Sequence, residues 1–332
     1  MKGLGGKIAV ITGGGTGMGR ELAKQLATEG CHVAMCDVSP EHMEETREAC
    51  LKLAPAGTRV STHVCDVSEE PQVLAFRDAV KRSHATECLH LLFNNAGIGA
   101  GGSLFTDDRE EWDKTFAVCW GGVYYCTRAF LPLLVASPAG HIVNTSSVNG
   151  FWASLGPNMP HTAYSAAKFA VKGFSEALIT DLRVNAPHVK VSVVMPGHVG
   201  TSIVSNTGMV LGRPSPKEMT SEDLQRVRER FARQGVPVAG ASDDQLRQGM
   251  EMMAVAFEKM APLSAAGAAT QILDGVRAGR WRILVGEDAV VIDELVRAAP
   301  EEAYEPGFAA KLRQRGLFGG LFGALAPGAD ES

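Results

Sequence analysis

The chain has 332 residues, 45% of them hydrophobic and 21% charged, enough apolar material for one large domain or two small ones. Its net charge of -5 leaves no basic excess to neutralise phosphates, which argues against a nucleic-acid partner. No stretch approaches the roughly 20 consecutive apolar residues that span a bilayer, and the first apolar run, Ile8 to Ile11, is too short for a signal sequence, so a cytoplasmic protein is expected.

The first strand is expected over 7–12 and runs straight into Thr12-Gly13-Gly14-Gly15-Thr16-Gly17-Met18-Gly19, with the first helix opening near Gly17. Glycine serves there for separable reasons. Gly13 turns the chain off the strand, Gly17 lets backbone approach a pyrophosphate, and Gly19 lets the helix pack close to the sheet. The helix N-terminus then offers unpaired N–H groups and a positive dipole end to phosphate. A glycine cluster alone is equally a flexible turn; its place between a strand and a helix makes it a dinucleotide site.

A second strand, 32–36, ends at Asp37, whose carboxylate can accept hydrogen bonds from adenosine ribose hydroxyls and would repel a 2′-phosphate. No Arg or Lys stands in the glycine turn or next to Asp37, so NAD is expected and NADP is the less favoured cofactor. The plainer alternative for Asp37 is a helix cap.

Further helices are expected from Pro40, Ser68, Arg109, Gly121 and Thr162, alternating with strands at 59–65, 89–93, 141–145 and 189–195. Strands that read as continuous Val/Ile/Leu runs are buried on both faces, which implies a parallel sheet with helices on each side. With a last helix near Ser264 and a strand at 281–285, the pattern is α/β: one Rossmann-type, doubly wound domain over 1–285, with about seven strands. Seven cysteines lie along it without a C-x-x-C pair. They are read as reduced core residues, so neither disulfides nor a metal site is expected.

The regularity breaks at 201–262, an insertion framed by Pro214, Pro216 and Pro237 and read as an extended substrate lid. Thr220-Ser221-Glu222-Asp223 looks like the capped start of one helix. A second follows Ser242, with Leu246, Met250, Met253, Phe257 and Met260 at helical spacing. Residues 286–332 read as a polar, partly helical C-terminal extension. Its end, Gly316-Leu317-Phe318-Gly319-Gly320-Leu321-Phe322-Gly323, is too short and Gly-rich for a membrane span and is expected to be disordered or packed on a neighbouring subunit.

The chemistry centres on Tyr164-Ser165-Ala166-Ala167-Lys168, which sets a phenol and an ammonium on one helix face. A free tyrosine titrates at about 10, and a cation held beside it favours the phenolate. The spacing alone is more often a surface pair. Here it follows Ile142-Val143-Asn144-Thr145-Ser146-Ser147, a buried strand ending in hydroxyls, and the combination points to catalysis.

These motifs together resemble the short-chain dehydrogenase/reductase family over roughly residues 5–200. The resemblance rests on T-G-x-x-x-G-x-G at 12–19, Asp66-Val67, Asn94-Asn95-Ala96-Gly97, Ser146-Ser147, Tyr164 with Lys168, and Pro196-Gly197-His198-Val199-Gly200-Thr201. It implies that Tyr164 is the general acid/base, that Ser147 orients and polarises the substrate oxygen, and that Lys168 binds the nicotinamide ribose and lowers the tyrosine pKa. It also implies a cofactor site made of Gly13, Thr16, Gly17, Met18, Gly19, Asp37, Val38, Asp66, Val67, Asn95, Ala96, Gly97, Tyr164, Lys168, Pro196, Gly197, Val199 and Thr201. Asp66 and Val67 would flank the adenine, Asn95 the ribose on that side, and Val199 and Thr201 the carboxamide. Pairing of helices equivalent to 121–135 and 162–183 implies a homodimer or homotetramer.

The sequence departs from the family pattern in four places. Cys119 stands where the family carries an asparagine that supports a proton relay, and a thiol is a weak hydrogen-bond partner. The segment between Ser147 and Tyr164 is longer than usual and includes Gly156-Pro157-Asn158-Met159-Pro160. The insertion is longer than in simple members, and Gly286-Glu287-Asp288 replaces the usual glycine pair after the last strand.

The expected activity is hydride transfer between NAD(H) and a secondary alcohol or ketone. Trp120, Phe151, Trp152, Met159 and the 246–260 segment are read either as a roomy apolar pocket for a bulky hydrophobic substrate or as ordinary core. Two readings compete. A β-ketoacyl thioester reductase would need a basic patch for phosphopantetheine, and Arg226, Arg228, Arg230 and Arg233 alternate with Glu222, Asp223 and Glu229 as on a solvated face. A non-catalytic NAD-sensing protein is hinted at only by Cys119.

Overall fold

The computed structural model describes residues 3–156, 159–238 and 240–317. Its first half alternates strand and helix: β1 (Ile8–Thr12), α1 (Gly17–Thr28), β2 (His32–Asp37), α2 (Pro40–Leu53), β3 (Val60–Val64), α3 (Glu70–His84) and β4 (Leu91–Asn94). Next come α4 (Arg109–Phe116), a π-helical turn (Ala117–Gly121), α5 (Gly122–Val135), β5 (Gly140–Thr145), α6 (Thr162–Asn185) and β6 (Val189–Pro196). The insertion supplies β7 (Val199–Gly200), α7 (Ile203–Val210), α8 (Ser221–Arg233), α9 (Asp243–Lys259) and β8 (Leu263–Ser264). The chain closes with α10 (Ala265–Arg277), β9 (Arg282–Val285), α11 (Glu287–Ala298) and α12 (Pro306–Gln314).

Seven strands form one parallel sheet in the order β3-β2-β1-β4-β5-β6-β9. Every residue of β1, β4 and β5 is buried, as continuous apolar runs between two helical layers require. On one face α3, α5 and α6 cover the sheet through Phe76, Phe130 and Leu178. On the other, α1, α2 and α10 pack through Leu22, Leu26, Cys50, Ile272 and Val276. The strand order reverses between β1 and β4, so a crevice opens beyond their carboxyl ends.

Four features go beyond the sequence reading. The third helix starts at Glu70 rather than Ser68, because the Ser68 N–H and hydroxyl donate to Asp66 Oδ1 (2.9 and 2.6 Å) and hold the chain in a turn. The two helices expected from Arg109 and Gly121 are one run, Arg109–Val135, joined by the π-turn that carries Cys119. That run is long and apolar enough to cross a membrane, yet Val123, Cys126, Phe130 and Leu134 belong to the core beneath the sheet. Finally, β7 pairs with β8 (Val199↔Leu263, Gly200↔Ser264), so the insertion leaves and rejoins the domain at a single point.

Both α8 and α9 carry the capping box their sequences encode, Thr220 with Asp223 and Ser242 with Gln245. They are tied to each other by the Arg228–Asp243 pair at 2.8 Å. The chain after β9 packs on the domain. Ala289, Ile292, Phe308 and Leu312 form a third apolar cluster with Val148 and Trp152, which follow β5. Trp152 Nε1 donates to the Ala303 carbonyl (2.8 Å), and the Tyr304 hydroxyl accepts from the Ala153 N–H (3.0 Å). Of the Gly316–Gly323 segment all but Gly316 and Leu317 lies outside the described residues, as do Pro157 and Asn158.

Candidate active site

The crevice beyond β1 and β4 is a groove of ≈ 130 Å³. Gly13, Thr16, Gly17, Met18, Asp37 and Val38 line one side; Asp66, Val67, Asn95, Ala96, Gly97 and Thr201 line the other. Gly13 has φ +66, and a β-carbon there would stand 2.9 Å from the Ala96 Cα, so β1 and β4 can approach only with glycine at this turn. Gly19 lies outside the groove: a β-carbon on it would overlap the Gly13 carbonyl oxygen, which makes it the contact between α1 and the turn. Thr16, the N-cap of α1, makes no side-chain cap, so the first helical N–H groups are left for an anion. The residues present therefore fit a dinucleotide.

Asp37 is held at the end of β2 by the N–H groups of Gly15 (3.0 Å) and Ser39 (3.2 Å). Asp66 meets the Lys114 ammonium at 2.6 Å. Burial works to raise its proton affinity, but Lys114 and Ser68 prevail and hold the carboxyl below its ordinary value. The Asn95 side chain donates to the Thr12 and Gly13 carbonyls (3.1 and 3.2 Å), stitching the glycine turn to the end of β4.

Sequence reasoning missed α7. Asn206, Met209 and Val210 close the groove, and Asn206 Nδ2 donates to Thr16 Oγ1 at 2.7 Å, so the insertion reaches the phosphate end of the site. The apolar spacing of Ile203, Thr207 and Val210 was the available signal.

Ser147, Tyr164 and Lys168 converge where β5 and α6 meet. Tyr164 and Lys168 are one helical turn apart, with Lys168 Nζ 5.3 Å from the centre of the phenol ring. The ammonium donates to the Thr145 carbonyl (2.8 Å), the Ser146 hydroxyl donates to the Lys168 carbonyl (2.7 Å), and Ser147 hydrogen-bonds Tyr164. Burial pushes the Tyr164 phenol above its ordinary value, Cys119 adds to this, and the Ser147 hydrogen bond opposes it. In the protein without cofactor, burial is the largest of these influences. Burial also lowers the proton affinity of Lys168. Cys119 is fully buried, donates to the Ile98 carbonyl (3.2 Å) and lies behind Gly97 beside Lys168.

Ser147, Tyr164 and Gly197 border a second cavity of ≈ 290 Å³, and Ile203 lines both it and the groove. Trp152, Met159, Met253 and Phe257 are in its wall. Trp120 is not: its ring packs edge-on against Phe174 at 5.2 Å and stacks on Tyr124. Phe151 lies against the Arg282 guanidinium, Leu246 is buried, and Met250 faces a separate hollow beside Arg230. Pro196 and Val199 line neither space; Val199 packs in the core beneath α10. His161, His198, Asp288 and Ile292 also line the wall and were not foreseen; the last two arrive only through α11.

Residues 7–209 match the short chain dehydrogenase family. A Mycobacterium tuberculosis protein named "Putative oxidoreductase SadH" is 36% identical over 88% of this chain and 90% of its own. Levodione reductase of Leifsonia aquatica is 31% identical over 66% of this chain and 79% of its own. A short chain dehydrogenase/reductase from Burkholderia phymatum, solved in complex with NAD, superposes with a TM-score of 0.71 at 31% identity, covering 91% of this chain and 95% of its own. With a parallel sheet, a glycine-turn groove and Ser147, Tyr164 and Lys168 brought together beside it, the chain belongs to the short-chain dehydrogenase/reductase family, the NAD(P)-dependent oxidoreductases.

Proposed function

We propose that this protein is an NAD-dependent alcohol dehydrogenase or ketone reductase acting on a bulky, hydrophobic secondary alcohol or ketone. The observation that carries the reading is the placement of Ser147 and Tyr164 in the wall of an apolar cavity that shares Ile203 with the neighbouring dinucleotide groove. Bound NAD(H) supplies the hydride acceptor or donor. Tyr164 takes or gives the alcohol proton, Ser147 holds the same oxygen, and Lys168 supports the phenol from one turn below. Asp37, pinned by two backbone N–H groups and with no Arg or Lys among the groove-lining residues described, supports NAD over NADP.

The apolar side chains of Trp152, Leu155, Met159, Val204, Met253 and Phe257 support a hydrophobic substrate. No Arg or Lys lines this cavity among the described residues, and Arg226 and Arg228 pair with Glu222 and Asp243, which speaks against a phosphopantetheine-bearing thioester. We place the protein in the cytoplasm as a homodimer or homotetramer, joined through the α5–α6 surface where Trp120, Tyr124 and Phe174 cluster. The test is turnover of a panel of secondary alcohols with NAD and with NADP. Tyr164→Phe should keep NAD affinity and lose about 10²-fold or more in kcat, because the ring stays and the transferable proton goes. More than a tenth of wild-type kcat in that variant would remove Tyr164 from its role.

A further inference from the structure

Several polar side chains stand in the cavity wall beside Tyr164, and nearly all are engaged within the protein. Asn149 Nδ2 donates to the carbonyls of Trp152 (3.0 Å) and Ser154 (2.9 Å). Thr207 Oγ1 accepts from the Gly99 N–H (2.9 Å) and donates to the Ile203 carbonyl (2.7 Å). His198 Nε2 donates to the Phe257 carbonyl at 2.8 Å. Asp288 keeps one oxygen, Oδ1, without a hydrogen-bond partner among the described residues. Its carboxylate, however, is wedged against Gly197 and Gly286, where a β-carbon would overlap it, so that oxygen is shut away from a ligand.

His161 differs from all of these. It lines the cavity with Ser147 and Tyr164, and its ring nitrogens meet no hydrogen-bond partner among the described residues. Burial drives its proton affinity down to about 4, against a weaker opposing pull from Asp107, so the imidazole is neutral at working pH. Its place is fixed, because the next two N–H groups, of Thr162 and Ala163, donate to the Gly102 (3.0 Å) and Gly101 (2.9 Å) carbonyls. The ring centre stands 4.7 Å from that of Tyr164, tilted by 32°.

A neutral imidazole offers one donor and one acceptor, and a ligand oxygen that replaces water at either makes a hydrogen bond beside an apolar wall, where it is worth more than in bulk water. Because this ring packs on the phenol ring, a ligand atom bonded to it lies only a few bonds from the carbon whose oxygen meets Tyr164. We propose that His161 determines specificity by hydrogen-bonding a second oxygen on the substrate near the reacting carbon. The preferred substrates are then bulky α-hydroxyketones and vicinal diols rather than simple ketones and alcohols. The inference rests on the hydride-transfer reading above.

The test compares acetophenone with α-hydroxyacetophenone as substrates with NADH, and measures binding of the matching phenyl alcohol and phenyl diol to the NAD complex by calorimetry. In the wild type the hydroxylated partner should be favoured about tenfold in kcat/KM and in Kd, the size of a well-made hydrogen bond. His161→Phe should bring both ratios close to one, and His161→Leu serves if the larger ring destabilises the wall. His161→Gln should restore part of the preference. Equal turnover and binding of both partners by the wild type, or ratios unchanged by His161→Phe, would overturn the proposal. So would an equal loss on both partners, which would assign His161 to holding Tyr164 in place. If no alcohol or ketone is turned over, the hydride-transfer reading fails, and the calorimetric ratio still decides the role of His161.

Discussion

At the scale of single residues, two positions carry most of the predictive weight. Asp37 presents a pinned carboxylate to the groove, and a 2′-phosphate beside it would be repelled. Replacing it by Ser together with Val38→Arg should shift the NADP/NAD ratio of kcat/KM toward NADP by about ten- to a hundredfold, the worth of a hydrogen bond to a charged group. A wild type that already prefers NADPH would contradict the reading. Cys119 is the second. It adds to burial in raising the Tyr164 phenol, and its thiol is spent on the Ile98 carbonyl. In Cys119→Asn the amide can keep that bond while the Tyr164 phenol is relieved, so the rise of oxidation rate with pH should move to lower pH with little change in Tm. A Tm drop worth about 1–3 kcal/mol with an unmoved pH–rate profile would mean an amide buried without partners and a purely structural cysteine.

At the scale of elements, the insertion supplies part of the cavity wall. Its ends are zipped together by β7 and β8, α7 reaches Thr16, and α9 contributes Met253 and Phe257 to the substrate wall. Thioether and ring surfaces make an adaptable apolar wall, and α9 otherwise buries little besides Leu246. Truncating Met253 and Phe257 to alanine should raise KM for large apolar substrates about tenfold, with little effect on small ones or on NAD affinity. A double variant that instead melts earlier, with KM changes independent of substrate size, would make the stripe a packing element only. The π-turn at 117–121 belongs to this scale too. A single-turn widening inside a continuous helix is what sets Cys119 against Ile98 and Lys168, and such turns recur at functional sites.

At the scale of the whole molecule, three histidines, His84, His141 and His161, link folding to pH. Burial holds all three at about 4, below the ordinary histidine value of 6.5. The unfolded chain therefore binds protons first as pH falls. Stability is full above pH 6.5 and is lost progressively as pH falls toward 4. A plot of Tm against pH should be level near neutrality and fall through this window, and His141→Asn should make the fall shallower. A curve that stays level to about pH 4.5, well inside this window, would refute the linkage.

The sequence by itself determined whatever depends on local pattern. Continuous Val/Ile runs can only be strands buried on both faces, which made the sheet parallel, and glycines between a strand and a helix marked the phosphate turn. The i, i+4 spacing of Tyr164 and Lys168 and the capping boxes at Thr220 and Ser242 were equally legible, because each is complete within one turn of chain. Tertiary structure alone decided what depends on distant segments meeting. It turned Trp120 and Phe151 away from the cavity, brought Asp288 and Ile292 into it through α11, and folded the chain after β9 onto Trp152. Burial also sets the direction of the Tyr164 shift in the protein without cofactor. A residue's neighbours in sequence name its charges, but the depth at which it is buried sets the desolvation that here outweighs them.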